Sequence, residues 1–157
     1  MDLATLSSVE QVTITRASAK DAQQLTCLCQ ASSSYQGVYA EAISTVELTA
    51  GYIAEHLVFR AVDQDAGLLG FYSLIREPPE LDMLFVSDEA QGRGVGRLLV
   101  DHMIEQSRQI GLKGVRVVSH PPAEGFYRRV GARRIGTVPA KPPVTTWERP
   151  ELWFTVT

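Results

Sequence analysis

Short hydrophobic segments recur along this chain in patterns that predict a β-sheet. Val12 and Ile14 alternate with polar neighbours in the segment 11–16, as on a strand with one buried face. Residues 114–119 form an almost continuous apolar run, as expected for a strand covered on both faces. The same patterns predict seven strands, at 11–16, 56–62, 68–76, 80–86, 114–119, 134–138 and 152–156.

Four further segments carry apolar residues at helical spacing and predict helices at 20–32, 41–55, 92–110 and 123–130. In the longest of them, Val95, Leu99 and Ile110 are among the apolar positions, and Gly111 follows the predicted end, where helices commonly stop. Gly51 is an unfavourable residue inside the second helix.

The elements follow one another as a strand, two helices, three strands, a helix, a strand, a helix and two strands. The charged connection 63–67 ends in glycine and predicts a hairpin between the second and third strands. This order implies an α/β protein of the α+β type, with a mixed sheet flanked by helices. Because no repeat or linker interrupts the pattern, we expect a single domain over residues 1–157.

Composition narrows the class of protein. The chain has 157 residues, of which 45% are hydrophobic, and this suffices for one packed core. It has no run of 18 apolar residues, and Asp2 and Glu10 lie where an export signal would need positive charge. We therefore expect a cytoplasmic protein that contacts no membrane. Cys27 and Cys29 point to different faces of a helix, so we expect no disulfide between them. A metal site would need further ligands at a suitable spacing, which the sequence does not offer, so we expect none.

The charge of the chain is unevenly distributed. The segment 91–134 holds nine of the 15 Lys and Arg residues and only three acidic ones, although the formal net charge of the whole chain is -3. A basic segment beside acidic ones suits a polyanionic cofactor that meets a cationic acceptor. The acidic balance, and basic residues that are not interleaved with exposed aromatics, argue against a nucleic-acid partner.

Three glycines, Gly92, Gly94 and Gly96, mark the start of the longest predicted helix, just after the strand 80–86. Glycine is a poor helix former, so a functional reason is indicated. Without side chains, a ligand can approach the first N–H groups of the helix, which lack an internal acceptor and attract anions. The spacing GxGxG differs from the GxGxxG of dinucleotide folds, and Arg97 with Leu98 does not complete a P-loop.

The segment ELDMLFVSDEAQGRGVG (80–96) resembles the GNAT superfamily of acyl-CoA-dependent N-acyltransferases, whose signature Gln91, Gly94 and Gly96 match in place. The order of elements from Val12 to Val156 is also similar, so the resemblance covers nearly the whole chain and implies a mostly antiparallel sheet. It implies that the cofactor is acetyl-CoA and that two parallel strands splay apart to admit the pantetheine arm. The cofactor-binding residues that it implies are Leu84, Phe85, Val86, Gln91, Gly92, Arg93, Gly94, Val95, Gly96, Arg97, His120 and Tyr127.

Transfer from a thioester to an amine requires a base for the amine and an acid for the departing thiolate. Glu80 and Asp82 are two positions apart on one predicted strand, hence on the same face of the sheet, and either could be the base directly or through a water. The resemblance implies that Tyr127 is the acid and that a backbone N–H near Phe85 or Val86 meets the oxyanion. His120 stands where many family members have asparagine.

The acceptor is the part about which the sequence says least. By analogy of position, Tyr35, Tyr39, Glu41 and Trp147 are the predicted acceptor-binding residues. The resulting prediction is an N-acetyltransferase that uses direct attack by the amine of a small molecule. Transfer to a protein or peptide amine, and a regulatory module that binds acyl-CoA without catalysis, stay open as alternatives. A homodimer is possible, since dimers are common in the resembled family.

Overall fold

The structure is a computed structural model that describes residues 11–143 and 145–157, without the side chains of Val38 and Glu41. Its centre is a seven-stranded sheet in the order β1-β2-β3-β4-β5-β7-β6. All neighbouring strands are antiparallel except β4 and β5. The strands are β1 (Thr13–Arg16), β2 (Leu57–Val62), β3 (Leu68–Arg76), β4 (Pro79–Val86), β5 (Gly114–Val118), β6 (Arg133–Val138) and β7 (Arg149–Thr155). The predicted mixed, mostly antiparallel sheet is therefore confirmed.

The described residues form five α-helices rather than the four predicted. They are α1 (Ala22–Gln30), α2 (Ala40–Ser44), α3 (Ala50–Glu55), α4 (Val95–Gln109) and α5 (Glu124–Arg129). None of them is long and apolar enough to cross a membrane. The longest, α4, begins three residues later than the prediction of 92–110, because Gly92 and Gly94 belong to the turn before it.

The predicted helix over 41–55 is wrong in its continuity. Side chains, rather than a helical ladder, satisfy the backbone between α2 and α3. Thr26 Oγ1 accepts a hydrogen bond from the Leu48 N–H at 2.9 Å, and Gln30 donates one to the Val46 carbonyl at 2.9 Å. Thr49 Oγ1 then accepts from the Tyr52 N–H at 3.1 Å and caps α3. Gly51 lies inside α3, so it is not the break.

The sheet separates two hydrophobic cores. On one face, α4 and α5 bury residues such as Leu99, Met103 and Tyr127 against β3, β5 and β7. On the other face, α1 to α3 cover a cluster that contains Leu25, Ile53 and Phe85. Both faces are thus occupied by helices, and ligand access is left to the edges where strands diverge.

A bulge in β4 changes which side chains face each core. Leu74 lies opposite Leu81 and Ser73 lies opposite Met83, so Asp82 is an extra residue in β4 without a direct partner in β3. On the far edge of β4, pairing with β5 is confined to Glu80 and Arg116. Beyond this pair the two parallel strands separate, as the resemblance implied.

Candidate active site

A cleft of about 650 Å³ opens where β4 and β5 separate. It runs between the C-terminal half of β4, the start of α4, the end of β5 and α5. Every predicted cofactor-binding residue lines it except Arg93. Its other walls come mainly from the loop after α1 and the turn after β5; those lining residues include Ser32, Ser34, Tyr35, Ser119, Pro122 and Ala123.

The glycine-rich turn brings free backbone donors to this cleft. Gly92 and Gly94 have φ angles of +77° and +80°, a conformation that residues with a Cβ adopt at a cost. Leu98 is the first residue of α4 whose N–H reaches the carbonyl four residues earlier, that of Gly94, at 3.1 Å. The preceding N–H groups of the helix lack such acceptors and carry the positive end of the helix dipole. The turn can therefore hold an anionic diphosphate.

The side chains of Gln91 and Phe126 contact the glycine-rich turn. Gln91 Nε2 donates a hydrogen bond to the Val86 carbonyl at 3.1 Å, which ties the turn to the end of β4. Gly96 packs under Phe126, whose ring would lie 3.0 Å from a Cβ at that position. Val95 is buried in the core, so only its backbone can contact a ligand, and Arg97 donates to the Arg129 carbonyl at 3.2 Å.

Tyr127 lies on α5 at the inner wall of the cleft. Its side chain is buried, and its hydroxyl has no hydrogen-bond partner among the described residues. Burial, with a smaller contribution from Tyr35, raises the pKa of Tyr127 above its ordinary value of about 10. The phenol therefore keeps its proton at neutral pH and can act as a donor.

Asp82 and Glu80 share the face of β4 that points toward α3, but their partners differ. The hydroxyl of Tyr52 donates a hydrogen bond to Asp82 Oδ2, and the same hydroxyl lies 2.8 Å from Ser73 Oγ. Burial, and then the bond to Asp82, raises the pKa of Tyr52, so the phenol stays the donor in this pair. Asp82 is exposed and lines the cleft.

Glu80 is part of an ion-pair network instead. Arg116 Nη1 donates to Glu80 Oε1 at 2.8 Å, and Arg116 Nε donates to Glu151. The bond to Glu151 raises the pKa of Arg116, so the guanidinium is charged throughout the working pH range. The guanidinium occupies an oxygen of Glu80 that would otherwise be available to an amine. The structure therefore separates two residues that the sequence left equivalent.

Three of the four predicted acceptor residues, Tyr35, Tyr39 and Trp147, belong to an aromatic cluster around His120. The rings of Tyr35 and His120 stack with centroids 4.0 Å apart, and Tyr35 also stacks on Phe85 at 5.6 Å. Tyr39 makes edge contacts with His120 at 5.8 Å and with Trp147 at 4.8 Å. Glu41 belongs to α2, and its side chain lies outside the described residues.

His120 is neutral in this cluster. Burial lowers the pKa of its imidazole, although a contact with the Ser34 carbonyl partly opposes the effect. Nε2 lies 3.4 Å from that carbonyl and donates to it. Burial likewise raises the pKa of Tyr35 to about 12. The cluster thus forms an uncharged wall beside Tyr127 and Phe85.

Sequence reasoning missed Tyr52 and Arg116. Tyr52 is 30 residues away from Asp82, and no local pattern connects a helical tyrosine with a strand carboxylate. Arg116 meets Glu80 because these residues are paired across β4 and β5. The register of these two parallel strands, which α4 separates in sequence, could have suggested this ion pair, but a single sequence does not contain that register.

Comparisons with known proteins agree with this geometry. The chain matches the family described as Acetyltransferase (GNAT) domain over residues 29–141. It is 29% identical over 90 residues to the peptidyl-lysine N-acetyltransferase YjaB of Salmonella typhimurium; the match covers 57% of this chain and 59% of that protein, less than two thirds of its length.

Solved structures share the fold. A GCN5-related N-acetyltransferase from Rhodopseudomonas palustris superposes with a TM-score of 0.73 at 19% identity, covering 91% of this chain and 94% of that one. The apo form of YjaB from Escherichia coli gives a TM-score of 0.69 at 21% identity, with 93% and 99% covered. Since the family match extends over more than half of the sequence, the chain belongs to the GNAT family of acetyltransferases.

Proposed function

We propose that this chain transfers the acetyl group of acetyl-CoA to the amine of a small molecule by direct attack, without a covalent enzyme intermediate. The observation that carries the proposal is the cleft itself. Its walls include N–H groups and a Tyr127 hydroxyl that have no hydrogen-bond partner in the described part of the chain, and the exposed carboxylate of Asp82. Acetyl-CoA is the usual acetyl donor of the family.

The residues present fit this donor. The two left-handed glycines and the unbonded N–H groups at the start of α4 would hold the pyrophosphate. The edge of β4 from Leu84 to Val86 faces the gap left by β5 and would pair with the amide groups of pantetheine. When bound, the donor supplies an acetyl group activated as a thioester.

Two proton movements are assigned to side chains. Asp82 takes a proton from the attacking amine, directly or through a water, because a lysine-like amine is mostly protonated at neutral pH. Tyr127, which burial keeps protonated at neutral pH, donates its hydroxyl proton to the departing sulfur as the C–S bond breaks. A C–N bond forms as the C–S bond breaks, and solvent returns the proton from Asp82 to Tyr127.

Asp82 is the better candidate base of the two carboxylates. Among the described residues, Tyr52 engages only Oδ2 of Asp82, and Asp82 lines the cleft, whereas Glu80 is held in an ion pair by Arg116. We assign Glu80 to positioning Arg116 beside the site. The backbone N–H near Phe85 or Val86 is the proposed oxyanion donor.

The test is thiol release from acetyl-CoA against a panel of amines, with mass spectrometry of the acetylated product. The panel contains amino acids, their decarboxylated amines, polyamines, amino sugars and a lysine peptide. Release that depends on an amine supports catalysis. If calorimetry shows that CoA binds but no amine causes thiol release, the proposed catalysis is overturned. That result would favour a non-catalytic binding module.

A second candidate acceptor is the side chain of a protein lysine. The curated relative from Salmonella typhimurium is named a peptidyl-lysine N-acetyltransferase. In the same panel, this candidate requires the lysine peptide to exceed every small amine in kcat/KM. A homodimer stays a prediction, and sedimentation analysis would test it.

A further inference from the structure

A second cavity of about 420 Å³ adjoins the cleft at the N-terminal end of β4. It shares Leu81, Asp82 and Val118 with the cleft, so the proposed base lines both spaces. The remaining lining residues are Glu80, Arg116, Val138, Lys141 and Arg149. A volume in this range accommodates a small molecule.

The charges around this cavity are not all satisfied within the protein. Arg116 is engaged by Glu80 and Glu151, and Asp82 accepts from Tyr52. By contrast, Lys141 and Arg149 form no ion pair in the part of the chain that the structure describes.

Arg149 has a buried side-chain N–H, that of Nε, which lacks a hydrogen-bond acceptor among residues 11–143 and 145–157. A buried guanidinium N–H without an acceptor is costly, so such groups are normally paired. Arg149 is fixed by its place in β7, opposite Val138, and Lys141 is fixed by two backbone hydrogen bonds with Thr145 at 2.8 and 3.0 Å.

We propose that the acceptor is an amino acid-like amine whose carboxylate binds Arg149 and Lys141 while its amino group faces Asp82. This inference rests on the proposed acetyl transfer. A carboxylate matches the planar donor fork of arginine. Lys141 and Arg149 line the second cavity and not the cleft, and the proposed base Asp82 lines both, so the charges suit a zwitterion rather than a polyamine.

The test compares amino acids with their decarboxylated amines as acceptors for the wild-type protein, Arg149→Gln and Lys141→Gln. Wild type is expected to prefer the acid, and Arg149→Gln is expected to lower kcat/KM for acids about 10- to 100-fold while leaving the decarboxylated amines nearly unchanged. Arg149→Lys should recover part of this loss. Arg133→Gln, an exposed cation on β6 outside both cavities, is the matched control and should change neither.

Calorimetric titration with the preferred amino acid, without acetyl-CoA, separates this inference from the proposed function. Binding by wild type that weakens in Arg149→Gln supports the carboxylate site even if no thiol is released. The inference is overturned if amino acids and their decarboxylated amines react with equal kcat/KM, or if Arg149→Gln lowers kcat/KM for all acceptors alike. It is also overturned if the lysine peptide is the preferred acceptor of both wild type and Arg149→Gln. Retained CoA binding and thermal stability show that the variants are folded.

Discussion

The hydroxyl of Tyr52 donates a hydrogen bond to the carboxylate of Asp82, and it does so from a helix on the face of the sheet opposite α4. Asp82 is the extra residue of the β4 bulge, so the strand ladder alone does not orient it. Tyr52 is consequently a positioning residue for the proposed base.

Removal of that hydroxyl is the first prediction. Tyr52→Phe should lower kcat about tenfold, because one hydrogen bond to a charged group is lost, and should leave the KM for acetyl-CoA unchanged. The control is Tyr72→Phe, which removes the buried hydroxyl that bonds to His102 at 2.7 Å. This control should lower the melting temperature but not kcat. Equal kcat values for Tyr52→Phe and wild type would remove Tyr52 from the mechanism.

The two carboxylates of β4 should behave differently. Asp82→Asn is expected to lower kcat about 100-fold or more, as the loss of a general base does. Glu80→Gln should lower kcat less than about tenfold, because Arg116 already engages that carboxylate and Glu80 is assigned to positioning rather than to proton transfer. Steady-state kinetics at saturating acetyl-CoA measures both. A larger loss in Glu80→Gln than in Asp82→Asn would reverse the assignment.

Tyr127→Phe should reduce kcat about 100-fold with little change in the affinity for CoA, since the phenol is assigned to the leaving sulfur. An acetyl thioester of a more acidic thiol needs less help from an acid and should recover part of the rate. Because burial raises the pKa of Tyr127, its ionisation should not account for any loss of activity below about pH 10. An unchanged kcat in the variant would exclude the role.

Two glycines give a matched test of the phosphate turn. Gly92 and Gly111 have φ angles of +77° and +83°, and a Cβ at either position would meet no atom within 4 Å. Alanine at each should therefore cost a similar amount of stability, about 1–2 kcal/mol. Only Gly92→Ala should weaken CoA binding, by about tenfold, because Gly92 lines the cleft and Gly111 does not. Calorimetry and thermal melts measure the two effects, and equal CoA affinities would contradict the turn as the diphosphate site.

Stability should depend on pH through two histidines. Burial lowers the pKa of His102 and of His120 below 6.5, so the unfolded chain binds more protons than the native one in mildly acidic solution. The free energy of unfolding should therefore fall as pH decreases from about 7 through 6.5 and below. In His102→Gln, which keeps a polar group for Tyr72, this decrease should be smaller. Denaturant unfolding between pH 5 and 7.5 provides the measurement, and parallel curves would contradict it.

The sequence alone predicted the seven strands, most of the helices and the glycine-rich turn. Strand alternation, helical spacing and a cluster of glycines at a helix start are local features of the sequence, so they can be identified without knowledge of the fold. The one large error in secondary structure, the helix over 41–55, has a tertiary cause. Thr26 and Gln30 of α1 satisfy the backbone that would otherwise have continued the helix.

Only the tertiary structure decided which side chains contact one another in the site. Glu80 and Asp82 look equivalent along the chain. The register of β4 against β5 places Glu80 beside Arg116, whereas the packing of α3 places Tyr52 against Asp82. The cavity with Lys141 and Arg149 likewise depends on strands that are distant in sequence. A shift of one residue in a strand moves every side chain to the other face, and such registers come from the packing of the whole core rather than from any local pattern.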